Sequence, residues 1–483
     1  MAAVLFGLLG CQGNGPARNA DVGPLNIVFV LVDDLGYMDV GANNSASFYE
    51  TPNIDALARN AMRLTDAYAA APVCSPTRAS ILTGKYPQRV GVTDYISAPQ
   101  PAAWRRNTQL LGAPYTEQLE LEEVTLAEIL KDAGYSTFFA GKWHLGDEPF
   151  WPEHQGFDFN LGGIARGGPY GGDRYFSPYG NPRLPDGEPG EHLPARLGNE
   201  TAAFIEANQA RPFLAYLSFY SVHTPLMTRG DLEAKYEDKR ATLGLKEDWG
   251  QEDFRRVRLV QEHPVYAGMV EAMDQAVGTV VDTLDRLNLT DRTIIVFTSD
   301  NGGLSTSEGH PTSNLPLRGG KGWMFEGGIR EPAIVYVPGV TQPGAVSDVV
   351  LTSPDWVPTM LDAAGVPQPT QVTFDGVSLM QALRGGPMDR GPVFWHYPHY
   401  GNQGGFPSGA VRDGQWKLIE NYEDGRRMLF NLRDDIGETR DLALQEPDRV
   451  RAMAEQLAAW RSHVSAVMPS TNTAYDPTKP SGR

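Results

Sequence analysis

The chain has 483 residues, 41% hydrophobic and 21% charged, with 41 basic against 59 acidic side chains and a formal net charge of −18. That composition supports a packed core and excludes wholesale disorder or collagen-like structure, while so acidic a surface repels phosphate backbones and excludes nucleic-acid binding by bulk electrostatics. No apolar run reaches the roughly 18 residues a membrane helix needs, and two cysteines, Cys11 and Cys74, build neither a disulfide framework nor a thiolate zinc site.

Residues 1–10 read MAAVLFGLLG and Cys11 follows. A short apolar run, a small residue and a Cys resemble the lipobox of bacterial lipoprotein signals, although the basic n-region is missing. The resemblance implies an exported bacterial protein, periplasmic or held at the outer membrane by a lipid on Cys11. The plainer alternative is a frayed terminus with an unmodified thiol. Either way, residues 1–24 read as signal and tether outside the fold.

Asn26–Val32 (NIVFVLV) is a continuous apolar, β-rich run, as in a strand buried on both faces. Thr51-Pro52 opens a helix, with Thr51 as N-cap and Ile54, Leu57, Ala58 and Met62 at helical spacing. Thr125 caps a second helix carrying Leu126, Ile129 and Leu130, which Gly134 stops. Ser136–Ala140, Pro212–Tyr220, Thr293–Thr298 and Ala333–Val337 read as further strands. Met269, Met273, Val277, Val280 and Leu284 mark a long amphipathic helix over 265–287. The Gly-, Pro- and Tyr-rich stretch 163–198 reads as a long irregular loop. Strands alternating with helices give an α/β fold with a large, mostly parallel sheet sandwiched by helices.

Near residue 388 the texture changes. Val393–Tyr397, Gly409–Arg412, Trp416–Ile419 and Met428–Asn431 look like short strands, followed by a helix over Pro447–Val464. This predicts a smaller antiparallel sheet with one helix, so the chain divides into 1–24, a main domain 25–387 and a C-terminal subdomain 388–483. The tail from Met468, rich in Pro, Ser and Thr, reads as loosely packed.

Open parallel sheets place their sites at the carboxyl ends of the strands. The strand 26–32 ends in Asp33-Asp34, 136–140 leads to Lys142 and His144, 212–220 to His223, and 293–298 to Asp300-Asn301. An Asp after a strand is often only a turn residue, but four such endings on one edge argue for a site. Asp33, Asp34, Asp300 and Asn301 are oxygen donors, which select a hard cation, Ca²⁺ or Mg²⁺, over zinc. With Lys142, His144, His223 and Lys321 nearby, the site suits an anionic tetrahedral group, sulfate or phosphate.

Cys74 begins Cys74-Ser75-Pro76-Thr77-Arg78-Ala79-Ser80-Ile81-Leu82-Thr83-Gly84, which reads as a helix start. Taken alone, Cys74 is a buried thiol or one acidified by the helix dipole. The segment resembles the C-x-P-S/T-R maturation signature of type I, formylglycine-dependent sulfatases, with Thr83-Gly84 completing it. Asp33-Asp34-Leu35-Gly36, Thr51-Pro52-Asn53-Ile54-Asp55, Gly141-Lys142-Trp143-His144-Leu145-Gly146, His223-Thr224-Pro225, Ser299-Asp300-Asn301-Gly302-Gly303 and the segment around Lys321 also look like that family's motifs, in its order.

The resemblance implies the alkaline phosphatase fold and a small C-terminal unit. It implies that a maturation enzyme oxidises Cys74 to formylglycine, and that Asp33, Asp34, Asp300 and Asn301 hold Ca²⁺, in preference to Mg²⁺, with the oxidised Cys74. Arg78 would orient the formylglycine, Lys142, His223 and Lys321 would bind sulfate oxygens, and His144 would hydrogen-bond the formylglycine. The implied reaction is attack of a formylglycine hydroxyl on sulfur, protonation of the leaving alcohol by His223 or Lys321, and release of sulfate from the covalent sulfo-enzyme by C–O cleavage.

Leaving-group specificity belongs to loops. Arg166, Tyr170, Asp173, Arg174, His310, Arg318, Trp395, His396, Tyr397 and His399 are the candidate substrate contacts. The His310-to-Arg330 stretch looks most like glycan sulfatases, including the N-acetylgalactosamine-sulfatase-like group, which implies exo-removal of sulfate from a sulfated, galactose-type sugar. The rivals are an arylsulfatase, a phosphonate monoester or phosphodiester hydrolase of the same superfamily, and an inactive lipid-anchored glycan-binding protein.

Overall fold

The structure, a computed structural model, describes residues 23–482. The lipobox-like segment and Cys11 lie outside the described residues. Eight strands form the main sheet: β1 (Asn26–Val32), β2 (Met62–Leu64), β3 (Ser136–Gly141), β4 (Phe159–Leu161), β5 (Phe213–Ser218), β6 (Thr293–Ser299), β7 (Ala333–Tyr336) and β8 (Val346–Ser347). Their order is β8-β2-β7-β6-β1-β5-β3-β4. All neighbours are parallel except β7, which runs against both β6 and β2.

The apolar run of β1 follows from its central place. Ile27, Phe29 and Leu31 enter one core while Val28, Val30 and Val32 enter the other, so neither face tolerates a polar residue. Helices α1 (Pro52–Asn60), α2 (Cys74–Thr83), α3 (Leu126–Asp132), α4 (Leu193–Asn208), α5 (Pro264–Arg286) and α6 (Trp356–Ala364) cover the sheet. The first, fourth and fifth pack on the Val28 side, and the others on the Phe29 side. The fold is therefore the sandwiched, mostly parallel α/β sheet that the sequence predicts.

Four local expectations need correction. Met62, expected on the helix that Thr51-Pro52 opens, lies past its end at Asn60 and begins β2. The loop expected over 163–198 ends at His192, where α4 begins with Pro194 in its first turn. Proline costs little there because its missing N–H has no intrahelical partner, and the Gly/Pro richness upstream masks the Leu193, Leu197, Phe204 and Ile205 spacing. Thr51 stands at the N-cap of α1 but its hydroxyl does not cap it. It accepts from Gly41 N at 2.9 Å and donates to Asp55, while Asp274 of α5 takes the free N–H groups of Asn53 and Ile54. The tail is not loose either: Ser470–Thr471 pairs with Leu110–Leu111, and Asn107 bonds the backbone of Asp476 and Pro480. Thr125, by contrast, forms the expected capping box with Glu128.

Four antiparallel strands, β9 (Val393–Tyr397), β10 (Ser408–Asp413), β11 (Trp416–Asn421) and β12 (Arg427–Asn431), make the second sheet, and α7 (Pro447–His463) lies on one face of it. The other face, through Trp395, Ala410, Ile419 and Phe430, packs on Trp323, Phe325 and Ile329. A buried ion network bolts this contact. Lys417 Nζ, fully enclosed, lies 2.9 Å from both Glu326 and Glu438, and Arg330 Nε lies 2.7 Å from Glu326. Burial opposes the charge on Glu326, but Lys417, Arg330 and Arg412 outweigh it and hold that carboxyl below the usual range. Glu438 loses the competition, and burial pushes it up to about 7.

Removing the single ammonium leaves two enclosed carboxyls facing each other. Lys417→Met is expected to cost about 3–5 kcal/mol, the usual penalty for breaking a buried ion pair from one side. Urea unfolding measures it, and a loss under about 1 kcal/mol would contradict the bolt.

Candidate active site

The parallel neighbours β6, β1, β5 and β3 end side by side, and each delivers polar groups at its carboxyl end. Asp33 and Asp34 follow β1, Asp300 and Asn301 follow β6, Lys142 and His144 follow β3, and His223 lies just beyond β5. Gly141 makes the turn into Lys142 at φ +106, where a Cβ would strike the Ser218 carbonyl. Cys74 is the first residue of α2, buried, with its sulfur near the Asp33 and Asp34 carboxylates.

Three cations meet three carboxylates here. Lys142 Nζ lies 2.7 Å from both Asp33 oxygens. Lys321 Nζ lies 2.9 Å from both Asp34 oxygens. Arg78 grips Asp300 with Nε at 2.8 Å and Nη2 at 2.7 Å. Its remaining arm donates to the Lys142 carbonyl and the Ser218 hydroxyl, so the guanidinium is locked. Burial, reinforced by Asp300 and Asp34, pushes the Asp33 carboxyl well above the usual range in spite of Lys142. For Asp34 the pull of Lys321, His223 and Lys142 outweighs burial and holds the carboxyl low. Burial also pushes the Cys74 thiol up to about 12, which removes the acidified-thiol reading.

The donor set fits a hard divalent cation. Asp33, Asp34 and Cys74 offer ligand atoms within 4.8 Å of one another. Asn301 donates from Nδ2 to Asp34 at 2.8 Å, and its buried Oδ1 has no hydrogen-bond partner. Carboxylate and amide oxygens suit Ca²⁺ or Mg²⁺, and the thiol is the one soft donor among them.

The two histidines are neutral by burial, and each leaves one nitrogen open. His144 Nε2 donates to the Ile96 carbonyl at 3.1 Å, and Nδ1 is unpartnered. His223 Nδ1 lies 2.8 Å from the Thr224 carbonyl, which turns Nε2 toward Asp34, 3.8 Å away. Burial, with Lys321 adding to it, brings the His223 imidazole down to about 4.

All six predicted catalytic residues and the predicted oxygen donors lie in or beside this buried cluster. The predicted substrate contacts divide. Tyr170 reaches His223 Nδ1 at 3.3 Å, and Arg166 lies beside Tyr170 with Nη1 on the Gly180 carbonyl. Arg174 lines the same depression as Tyr170. Asp173 is exposed in a turn closed on Pro178. His310 stacks edge-on against Trp249. Arg318 spends its guanidinium on Glu252, at 3.0 and 2.8 Å, and on the Glu438 carbonyl. His396 is buried between the Tyr422 hydroxyl and the Val467 carbonyl, and His399 between Thr93 and Asp94. Trp395 and Tyr397 are core residues that bond the Ala69 carbonyl and Asp94. Sequence reasoning missed Ser218, which fixes Arg78, and Glu308, 3.6 Å from Lys321 and 4.0 Å from His223. Glu308 sits in a Ser/Gly loop between two motifs, and no pattern in the chain marks it.

A family model described as Sulfatase matches residues 25–366, and one described as N-sulphoglucosamine sulphohydrolase, C-terminal, matches 320–463. A Sulfatase of Formosa agariphila is 31% identical over 95% of this chain and 92% of its own length. N-acetylgalactosamine-6-sulfatase of Mus musculus is 33% identical over 77% of this chain and 69% of its own. The crystal structure of Ps i-CgsB, also solved in complex with k-i-k-neocarrahexaose, superposes with a TM-score of 0.74 at 28% identity, covering 90% of this chain and 92% of that one.

Ca²⁺ added to chelator-stripped protein should raise its stability, by about 2.7 kcal/mol at a hundredfold excess over Kd. Asn301→Ala, which removes one oxygen donor without changing charge, should weaken Ca²⁺ by about tenfold or more, since loss of even an outer-shell partner of a metal costs about that much. Thermal shift against Ca²⁺ concentration measures both, and equal Kd values would contradict the assignment.

Proposed function

The chain belongs to the sulfatase family, and we propose that this sulfuric ester hydrolase removes terminal sulfate from a sulfated carbohydrate of the galactose or N-acetylgalactosamine type. The observation that carries the reading is the position of Cys74, whose sulfur lies among the Asp33 and Asp34 carboxylates at the start of a helix, within the field of Lys142 and Lys321. Two relatives support the sugar class: N-acetylgalactosamine-6-sulfatase by its name and Ps i-CgsB by its neocarrahexaose complex.

Once oxidised by a maturation enzyme, Cys74 supplies formylglycine, a hydrated aldehyde with one hydroxyl to attack sulfur and a second that lets sulfate leave by C–O cleavage. A Ca²⁺ held by Asp33, Asp34, Asp300 and Asn301 would offset the charge of the sulfate ester.

The chain's own residues do the rest. Lys142 and Lys321 are the ammonium groups that bind sulfate oxygens and stabilise the charge gathered in the transition state. Arg78, held through Nε and Nη1 by Asp300, Lys142 and Ser218, orients residue 74 rather than the substrate. His144 presents an unpartnered Nδ1 on a neutral ring, a proton acceptor for a hydroxyl of residue 74. His223 is neutral with its Nδ1 proton on the Thr224 carbonyl and presents Nε2 as an acceptor on the side of Lys321, so the Lys321 ammonium supplies the proton of the leaving alcohol. Tyr170 and Arg166 border that side and are the first contacts for the sugar. The motif at residues 1–11 adds export and a lipid anchor on Cys11, which suits degradation of external glycans.

Cys74→Ala should abolish turnover of an aryl sulfate and of a sulfated galactoside, by on the order of a thousandfold or more, as loss of a nucleophile does. Its unfolding midpoint should stay near wild type, because Cys74 supplies chemistry rather than packing. Turnover close to wild type would contradict the reading. Preferential cleavage of an aryl phosphonate in a parallel assay would move the assignment to phosphonate or phosphodiester hydrolysis.

A further inference from the structure

Glu308 is a carboxylate at the edge of the site with no role in the reading above. Its backbone is held at φ +50, followed by Gly309 at +90 and His310 at +49. A glutamate rarely occupies the left-handed region, and two non-glycine residues so held on either side of a glycine persist only where their surroundings over-determine them. The surroundings are on both sides. Gln403 Nε2 donates to Glu308 Oε1 at 2.7 Å and Asn402 Nδ2 at 3.2 Å. Trp323, two residues past Lys321, bonds Thr306 and the Gln403 carbonyl, which knits the two loops to the Lys321 segment. Arg258 reaches across from the Trp249–Arg258 hairpin to the His310 carbonyl.

This scaffold leaves one atom unspent. Glu308 Oε2 is buried without a hydrogen-bond partner, 3.6 Å from Lys321 Nζ and 4.0 Å from His223 Nε2. Asp34, His223 and Glu308 have the spacing of a second cation site, but the Lys321 ammonium, 2.9 Å from Asp34, already supplies the positive charge there. Among the described residues, Asp34 and Glu308 are the only carboxylates within ion-pair distance of Lys321. A divalent cation on Asp34 would draw that carboxylate's charge to itself and repel the ammonium. Glu308 is then the one carboxylate still free to hold Lys321 in place.

We propose that Glu308 is a positioning residue, a strained second anchor that holds Lys321, and the His223 ring beside it, against the substrate's sulfate once Asp34 is engaged by the cation. The inference rests on the sulfatase reading of Lys321. It is also counterintuitive in sign, because a carboxylate beside an anion site should repel sulfate. Simple electrostatics makes Glu308→Gln bind sulfate more tightly, and anchoring makes it bind more weakly.

The test is calorimetric titration of inorganic sulfate into Ca²⁺-saturated full-length protein, which needs neither turnover nor maturation of Cys74. Glu308→Gln, which keeps the amide contacts of its scaffold within reach, should weaken sulfate about tenfold, and Glu308→Asp should recover it to within about threefold of wild type, a span of about 1.4 kcal/mol for the tenfold step. Unfolding midpoints of the three proteins control for folding, and KM for a sulfated galactoside should follow the sulfate Kd. Equal or tighter sulfate binding by Glu308→Gln overturns the anchoring role while leaving the sulfatase reading intact. Failure of the wild-type protein to bind sulfate at all overturns that reading, and the anchor with it.

Discussion

The constraint on which the structure depends is the crowding of Asp33, Asp34 and Asp300 at the ends of two adjacent parallel strands. Three carboxylates in an enclosed space raise one another's proton affinity unless cations are supplied, and Arg78, Lys142 and Lys321 supply them one for one. Balanced in this way, these three acids and three cations carry no net charge among themselves. A divalent cation added to them leaves the cluster positive, the condition a sulfate ester requires. The same balance explains why each cation comes from a different part of the chain: α2, the end of β3 and the segment before Trp323 must all be in place before the acids can be buried.

That requirement gives the second sheet its purpose. It contributes none of the three balancing cations, yet it grips the chain just beyond Lys321 through Trp323, Phe325 and the Lys417–Glu326–Glu438 network. Gln403, in the loop between β9 and β10, reaches Glu308 from the same unit. A buried ion network is a weak source of net stability, but it specifies one arrangement, and here the arrangement specified is that of Lys321. Packing in the small sheet thus becomes electrostatics in the large one.

The sequence was legible where one physical cause dominates. β1 and β6 are runs buried on both faces, so their apolar continuity reads directly, and the polar residues that end them stand out by contrast. The periodicity of α5 over 23 residues leaves no alternative period. The chain was opaque where the partner is distant. Nothing near Thr51 reveals that Asp274 caps α1, and nothing near Glu308 reveals that Gln403 will hold it beside Lys321. Arg318, His396 and His399 are of the right chemical type for a sugar site, but residue type does not tell a ligand-facing side chain from one spent on Glu252, Tyr422 or Thr93. Core chemistry falls at strand ends, where topology fixes it, whereas specificity falls in loops, whose contacts only the folded chain defines.

The central claim is that Cys74 is kept for its chemistry, as the precursor of formylglycine, and not for its packing. Mass spectrometry of the tryptic peptide Leu64–Arg78, from protein made in a host with the maturation enzyme, tests it most directly. The account predicts an aldehyde at residue 74 that reacts with a hydrazide probe and resists thiol alkylation. A free, fully alkylatable thiol in that protein would contradict it.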